Sequence, residues 1–157
     1  MQLLRIYADT SVIGGYFDPE FETDSRRLLD GVKQGPCILL LSQVVLDELQ
    51  PAPARVRELL ATLPSTQIEK FEVTTEMIKL RNAYLDAAIL GTRWRDDATH
   101  VAIATVAKAD AIVSWNFKHI VRLDKMIAYN QINQSHGYGV LTIISPREVC
   151  FDEPATD

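Results

Sequence analysis

Cysteine, long apolar runs and excess positive charge are all scarce in this chain of 157 residues. Its two cysteines, Cys37 and Cys150, lie in or beside apolar segments, which is typical of buried free thiols in a reducing compartment, although the sequence leaves a disulfide between them open. No apolar run approaches the ~20 residues that a membrane-spanning helix needs. The N-terminus lacks the basic and apolar segments of a signal peptide. We therefore expect a cytoplasmic protein with no membrane segment.

The deficit of positive charge limits what the bulk composition says about partners. Sixteen Lys and Arg face 21 Asp and Glu, so the formal net charge is −5 and does not indicate a polyanion partner. The chain is 47% hydrophobic and 24% charged, which is ordinary for a globular protein. Its length favours one domain with a substantial core. We assign residues 1–150 to a single domain and 151–157 to a flexible C-terminal tail.

Short apolar runs alternate with amphipathic segments along the whole chain. The pattern predicts five strands, at about 5–8, 38–41, 68–73, 111–115 and 140–144. Between them it predicts helices over about 22–34, 44–49, 55–63, 75–90, 96–108 and 123–134. Gly91 is expected to follow the 75–90 helix as its C′ residue, and Asp96 to be the N-cap of the next helix. Alternating strands and helices indicate an α/β domain with a mainly parallel sheet and right-handed crossovers.

Asp9 ends the first predicted strand and is followed at once by Thr10 and Ser11. In open parallel sheets, ligands bind beyond the carboxyl ends of the strands, so Asp9 lies where such a site would have an acid. The alternative is that Asp9 is only the N-cap of a following helix, a position that Asp favours. This stretch alone leaves both interpretations open.

Other polar side chains stand in similar positions. Ser42 follows the second predicted strand, Ser114 and Asn116 follow the fourth, and Glu48 and Asp97 belong to adjacent helices. Each has a plainer alternative: a solvated helix residue for Glu48, a partner of the helix dipole for Asp97 and a turn residue for Asn116. His100, three residues after Asp97, is expected either to pack in the core or to border a site. If these strands are parallel neighbours, their carboxyl ends bring this polar set to one edge of the sheet.

Four segments together resemble the PIN-domain ribonucleases, the family that includes the VapC-type toxins of VapBC toxin–antitoxin pairs. They are residues 7–12 (YADTSV), 42–49 (SQVVLDEL), 97–104 (DATHVAIA) and 112–120 (IVSWNFKHI). Their order and their positions relative to the predicted strands agree with the family, and the resemblance covers about residues 2–148. It implies a three-layer α/β/α PIN-like fold with a five-stranded sheet in the order 3-2-1-4-5, and often a homodimer.

The resemblance also implies the site and its chemistry. Asp9, Glu48 and Asp97 would be the carboxylates of an acidic pocket that binds Mg²⁺ or Mn²⁺, with Asn116 as a fourth catalytic position. Many family members carry an acid at that fourth position, whereas Asn offers an amide oxygen without charge, which makes a tightly held second metal doubtful. Close carboxylates resist ionising together unless a cation joins them. The residues expected to orient ligands or phosphate around the pocket are Thr10, Ser11, Ser42 and Ser114.

The implied reaction is metal-dependent hydrolysis of RNA phosphodiester bonds, and the implied partner is an antitoxin that inserts a basic side chain among the acids. Because RNA is a polyanion, binding requires local positive charge near the pocket. The residues expected to supply this rim are Arg93, Arg95, Lys118, His119, Arg122 and, further along, Lys125. Trp94 and Trp115 are either base-stacking residues or parts of the core.

Three alternatives compete with a nuclease. A haloacid-dehalogenase-like phosphatase would need a second Asp two residues after Asp9, where this chain has Ser11. A receiver domain would need paired acids near the first strand and a lysine after the last strand, and neither is evident. A PIN fold that serves only as an RNA-binding or regulatory module would explain Asn116, although retention of the other three acids argues against it.

Overall fold

The computed structural model describes residues 3–149, which form a five-stranded parallel sheet with helices on both faces. The predicted tail at 151–157 and Cys150 lie outside the described residues. The strands are β1 (Leu4–Ala8), β2 (Cys37–Ser42), β3 (Ile68–Phe71), β4 (Ala111–Val113) and β5 (Thr142–Ile144). The helices are α1 (Thr10–Gly15), α2 (Glu22–Gln34), α3 (Gln43–Leu49), α4 (Ala54–Ala61), α5 (Thr75–Asp86), α6 (Arg95–Val106) and α7 (Leu123–Ser135). Within residues 3–149, no helix has both the length and the apolar character needed to cross a bilayer.

The sheet order is β3-β2-β1-β4-β5, which confirms the predicted topology. The chain moves in one direction from β1 to β3 and in the opposite direction from β3 through β4 to β5. Because parallel crossovers are right-handed, α1 to α4 cover one face of the sheet and α5 to α7 cover the other. Contacts of α1 with α2, and of α5 with α6 and α7, agree with this arrangement. The direction changes between β1 and β4, where a parallel sheet opens a crevice at the carboxyl ends of its strands.

The central strands are apolar because both faces of the sheet are covered. In β1, residues 6–8 are buried, and Tyr7 pairs in register with Leu40 of β2 and Ile112 of β4. In α6, residues 98–105 are all buried. This burial explains a sequence of Ala, Val and Ile without a clear polar face, and it makes α6 a rigid support for the side chains of its first turns.

The predicted end of α5 was wrong. The helix ends at Asp86, four residues before the predicted end, and Gly91 has an extended conformation rather than the C′ position. Ala88 occupies C′ instead, with a left-handed φ of 58°. The amide of Ala88 donates to the carbonyl of Leu85, and the amide of Ile89 donates to the carbonyl of Tyr84. This is a Schellman motif, and the buried Ile89 side chain supplies its apolar contact.

The predicted start of α6 also needs correction. A 3₁₀ turn over Thr92–Trp94 runs directly into the helix, so Trp94 is at the N-cap position and Asp96 lies in the first turn without capping. The other boundaries differ from the predicted ones by at most two residues at each end, and α2 spans Glu22–Gln34 as expected. The last two strands are shorter than predicted, because β4 and β5 keep three paired residues each.

Candidate active site

Asp9 lies directly after β1, at the carboxyl edge of the sheet. It occupies the N-cap position of α1, but its side chain makes no capping hydrogen bond. Ser11 Oγ donates to Asp9 Oδ1 and Ser114 Oγ donates to Asp9 Oδ2, each at 2.5 Å. The capping interpretation therefore does not hold for the carboxylate, which faces across to the end of β4. The residue is only 4% exposed.

The two serines hold the ends of β1 and β4 together around this carboxylate. The backbone amide of Trp115 donates to Ser11 Oγ at 2.9 Å, and the amide of Asn116 donates to Ser114 Oγ at 2.9 Å. Burial raises the pKa of the Asp9 carboxyl above its ordinary value, and the charge of Asp97 adds to the rise against the opposing effect of His100 and both serines. A cation that approaches this buried carboxyl favours its ionised form.

Glu48 reaches the same edge from α3. Ser42 caps that helix through a hydrogen bond from the amide of Val45 at 3.3 Å, which fixes the direction of the helix as it leaves β2. Glu48 Oε1 accepts from Thr10 Oγ1 at 3.1 Å and from His100 Nε2 at 2.5 Å. Burial alone would raise the pKa of Glu48, but the hydrogen bond and charge of His100, together with Thr10, hold that pKa below its ordinary value. Glu48 therefore stays ionised more readily than an ordinary glutamate.

His100 is the residue that connects the acids. It is 2% exposed, and its Nδ1 lies 2.6 Å from the hydroxyl of Tyr7. Burial would lower the pKa of His100, but the hydrogen bond with Glu48 and the charges of Asp9, Glu48 and Asp97 raise it overall. Glu48 contacts this imidazole directly, and Asp9 and Asp97 lie near enough for their charges to raise its pKa, although the three carboxylates are far apart in sequence. Both expectations for His100 apply, since its side chain is buried in the core and also contacts Glu48 at the site.

Asp97, in the first turn of α6, pairs with His119. Asp97 Oδ2 and His119 Nδ1 are 2.8 Å apart, and the imidazole packs against the ring of Trp94 with centroids 4.4 Å apart. The side-chain oxygen of Asn116 accepts from the amides of Lys118 at 3.2 Å and His119 at 2.9 Å. His119 is only 8% exposed, so this member of the expected rim is buried against the acid rather than free on the surface.

A cavity of about 500 Å³ opens beside these residues. It brings together Glu48, Asp97 and Asn116 of the predicted catalytic set, and Arg93, Lys118 and His119 of the predicted rim. Its full lining is Glu48, Arg93, Trp94, Asp96, Asp97, Asn116, Lys118 and His119. Asp9 is not part of this lining, but a single side chain, Ser114, connects it to the backbone of Asn116.

Several residues of the expected rim lie elsewhere. Arg122 is outside the cavity lining, with its guanidinium bonded to Asp124 at 2.6 and 2.8 Å, and Arg95 is exposed without reaching the lining. Lys125 donates to the carbonyl of Ile89 at 2.5 Å. Trp115 is a core residue, 6% exposed, whose ring stacks on Phe21 with centroids 4.4 Å apart. Trp94 is therefore the tryptophan that remains available for base stacking.

One contributor to the site was not found from the sequence. Tyr7 sits in the middle of an apolar strand, and its hydroxyl reaches both Ser42 Oγ, at 2.8 Å, and His100. A buried tyrosine requires a hydrogen-bond partner, and that requirement was the available signal.

The donor set fits a hard divalent cation in kind. Within residues 3–149, no three His, Cys, Asp or Glu side chains are already arranged to hold a metal ion. The carboxylates are instead held by hydroxyl groups and imidazoles. In this part of the chain, however, Glu48 Oε2 and Asp97 Oδ1 accept no hydrogen bond, so each acid keeps one oxygen available. Carboxylate and amide oxygens are the ligands that Mg²⁺ prefers.

The family is established by a model of the PIN domain that matches residues 5–118, and the chain belongs to the PIN-domain family. No curated protein matches the sequence significantly. Solved structures that share the fold include two from VapBC systems. VapBC2 from Rickettsia felis, bound to a DNA fragment from its promoter, superposes with a TM-score of 0.57 at 15% identity over 90% of this chain and 98% of that one. VapC20 from Mycobacterium tuberculosis, a toxin that cleaves the sarcin–ricin loop, has a TM-score of 0.52 at 16% identity over 87% of this chain and 98% of that one.

Proposed function

We propose that this PIN-domain protein is a metal-dependent endoribonuclease that hydrolyses RNA phosphodiester bonds. The observation that carries the proposal is one cavity that Glu48, Asp97 and Asn116 line together with the cations Arg93 and Lys118, while Ser114 connects Asp9 to the backbone of Asn116. Single carboxylates occur at many sheet edges, but three that act on one buried group form a centre of negative charge. A divalent cation held by such a centre can also bind a phosphate group of the substrate.

The candidate ligands for the cation are Asp9, Glu48 and Asp97. A Mg²⁺ or Mn²⁺ ion bound there would supply positive charge to the scissile phosphate and help to activate water. Ser11 and Ser114 hold the Asp9 carboxylate in one orientation, as groups that surround metal ligands commonly do. His119 does the same for Asp97.

The residues proposed to bind the RNA lie on the cationic rim. Lys118 and Arg93 line the cavity and both lie over the ring of Trp94, at 5.5 and 4.9 Å from its centroid. Two cations beside this partly exposed indole can bind the phosphates of an RNA backbone. The overall charge of −5 means that this rim is a local exception on an acidic molecule.

The catalytic proposal is tested with labelled single-stranded RNA and Mn²⁺. We expect cleavage that EDTA abolishes and that Asp9→Asn reduces at least about 100-fold, beyond the 10–100-fold typical of residues around metal ligands. Arg122→Ala is the matched control, because Arg122 lies outside the cavity and pairs with Asp124. Cleavage by Asp9→Asn at the wild-type rate would contradict the assignment of the site.

The alternative is an RNA-binding or regulatory module without hydrolysis. One observation favours it: the side-chain oxygen of Asn116 already accepts two backbone amides of its own turn, so it is less available to a ligand than an acid would be. Binding of RNA with no cleavage at any Mn²⁺ concentration would support the module.

We further propose that the protein is the toxin of a toxin–antitoxin pair and acts in the cytoplasm. Support comes from the fold shared with the two VapC structures, and the family implies an antitoxin that covers the pocket. A second cavity, of about 470 Å³, includes Thr10 and Glu48 and extends to Phe17 and Arg55, which suits a peptide that reaches the acids from that side. Induced expression should arrest growth, and Asp9→Asn should not.

A homodimer is also proposed. Its support is three exposed apolar side chains, two in α7 and one just before β5: Leu123 at 70%, Ile127 at 52% and Val140 at 67% exposure. Light scattering at micromolar concentration tests it, with a monomer mass at all concentrations as the contrary result.

A further inference from the structure

A buried chain of hydrogen bonds leads from the end of β2 to Glu48. Ser42 Oγ and the Tyr7 hydroxyl are 2.8 Å apart, and the Tyr7 hydroxyl is 2.6 Å from His100 Nδ1. His100 Nε2 is 2.5 Å from Glu48 Oε1. Ser42 and Tyr7 are fully buried and His100 is 2% exposed, so water does not substitute for any link of the chain. The chain reaches the cavity only at Glu48.

The direction of the last link follows from the donors available. The ionised carboxylate of Glu48 can only accept, so His100 Nε2 carries the hydrogen in either protonation state of the ring. At the other end, Ser42 Oγ accepts from the amide of Val45, which anchors the chain to the first turn of α3. The imidazole is thus fixed at both nitrogens and cannot rotate without breaking a buried hydrogen bond.

The consequence concerns which oxygen of Glu48 is available. Oε1 accepts from His100 and from Thr10 Oγ1 at 3.1 Å, whereas Oε2 accepts nothing within residues 3–149. The side chain keeps 33% of its surface exposed while it lines the cavity. Two donors on one oxygen therefore leave the other oxygen as the one that a ligand can reach.

We propose that Tyr7 and His100 are positioning residues that clamp Oε1 of Glu48 and so present Oε2 to the cation of the proposed nuclease. The consequence for catalysis rests on the proposed function, whereas the clamp is a property of the protein alone. Core packing does not require these polar groups, since apolar side chains would fill the same positions without the desolvation of a hydroxyl and an imidazole. Their hydrogen bonds lead instead to Glu48, whose side chain is partly exposed and lines the cavity.

The first test measures Mn²⁺ binding to the RNA-free protein by calorimetry. Tyr7→Phe and His100→Leu keep most of the buried volume but break the chain, and each should weaken Mn²⁺ affinity about 10–100-fold. His100→Gln keeps a donor amide near the position of Nε2 and should recover part of the affinity. On a Glu48→Ala background, Tyr7→Phe should cause no further loss, because the clamp acts through Glu48.

Tyr84→Phe is the matched control. Tyr84 is another fully buried tyrosine, and its hydroxyl bonds Thr105 and Asn133 rather than any residue of the site. The variant should lose stability as Tyr7→Phe does while Mn²⁺ affinity stays at the wild-type value. Wild-type affinity in both Tyr7→Phe and His100→Leu would overturn the proposal, as would an equal loss in Tyr84→Phe.

The second test does not depend on metal or on cleavage. In ¹⁵N-labelled protein, the Nε2–H of His100 should give a slowly exchanging signal that Glu48→Ala moves or removes, whereas Tyr84→Phe leaves it unchanged. A signal that is absent, or unaffected by Glu48→Ala, would refute the clamp. A protein that shows this signal but neither binds Mn²⁺ nor cleaves RNA would retain the clamp and lose the proposed nuclease function.

Discussion

At the scale of single residues, the buried charge of Asp9 dominates the site. Burial raises the pKa of this carboxyl, so the folded protein holds its proton more tightly than the unfolded chain does. As pH rises from the ordinary value of 3.8 through the raised value, the native state loses stability relative to the unfolded state. The ionised carboxylate of Asp9 thus lowers the stability of the native state at neutral pH.

Asp9→Asn should therefore increase stability at neutral pH in the absence of divalent metal, while it removes activity. Urea unfolding at pH 7 should show a larger free energy of unfolding for the variant. The difference should shrink as pH falls below the ordinary Asp pKa, where wild-type Asp9 is protonated in both states. Equal or lower stability of Asp9→Asn at pH 7 would show that Ser11 and Ser114 fully compensate the charge.

Lys118 and Arg122 provide a second test at this scale, because both are cations near the end of β4 and only Lys118 lines the cavity. We expect Lys118→Ala to weaken binding to single-stranded RNA and to reduce the slope of log K against log salt by about 0.7. Arg122→Ala should leave both unchanged, since its guanidinium is bonded to Asp124. Fluorescence anisotropy over a range of salt concentrations makes the measurement, and equal effects in the two variants would argue against a localised rim.

How far the sequence revealed the site depends on the residue. Asp9, Glu48 and Asp97 were identified because their order and spacing match a family, not because any one of them is distinctive. Tyr7 was missed because a tyrosine in an apolar strand is ordinary, and its role appears only when β1, β2 and α6 bring Ser42 and His100 around it. Long-range hydrogen bonds of this kind are set by tertiary packing, which local patterns do not encode.

At the scale of elements, the short helix α1 tests how tightly the site is supported. A Cβ on Gly15 would lie 2.8 Å from Ser25 Oγ and 3.0 Å from Trp115 Nε1, which bond to each other at 2.9 Å. Gly15→Ala should therefore lower the free energy of unfolding by about 1–3 kcal/mol and disturb the chain next to Ser114. A Cβ on Gly14 would meet nothing within 4 Å. Gly14→Ala should raise the free energy of unfolding by up to about 1 kcal/mol. Denaturant unfolding of both variants measures these changes, and equal changes in the two would contradict the prediction.

Replacement of alanine by glycine should change the stability in opposite directions at the end of α5 and inside that helix. Ala88 holds a left-handed φ of 58°, a conformation that costs a residue with a Cβ about 1 kcal/mol or more. Ala88→Gly should relieve that strain and raise the free energy of unfolding by up to about 1 kcal/mol, after the entropy of the unfolded chain is subtracted. Ala83→Gly, inside the helix, should lower it by about 1 kcal/mol. Losses in both variants would mean that the strain at Ala88 is negligible.

Elements were predicted well where hydrophobic spacing was strong and poorly where the ends depend on other parts of the chain. The α2 boundaries were correct because Gly35, with a left-handed φ of 107°, ends an amphipathic segment. At α5, apolar residues continue past the helix and suggested four further residues. Ile89 and Leu90 are buried by the turn that follows rather than by the helix, so periodicity alone extended the helix too far.

At the scale of the whole molecule, the order of the strands explains why distant residues meet. The change of direction between β1 and β4 places the ends of both strands side by side, and β2 delivers α3 to the same edge. Alternation of strands and helices predicted a parallel sheet, but it did not determine the strand order. The order came from family resemblance, because the pairing of β1 with β4 joins segments about a hundred residues apart.

The acidic site should couple metal binding to the stability of the entire fold. A cation that binds only the native state stabilises it by RT ln(1 + [L]/Kd), about 2.7 kcal/mol at 100 times Kd. For a domain of this size, that corresponds to a rise in Tm of about 5–11 °C. Differential scanning calorimetry should show the rise with Mn²⁺ and its reversal by EDTA. Asp9→Asn should start from a higher Tm and respond less, because it lacks both the repulsion and a ligand. A wild-type Tm that does not change in millimolar Mn²⁺ or Mg²⁺ would contradict a native-state cation site, and an equal rise in Asp9→Asn would mean that the ion binds elsewhere.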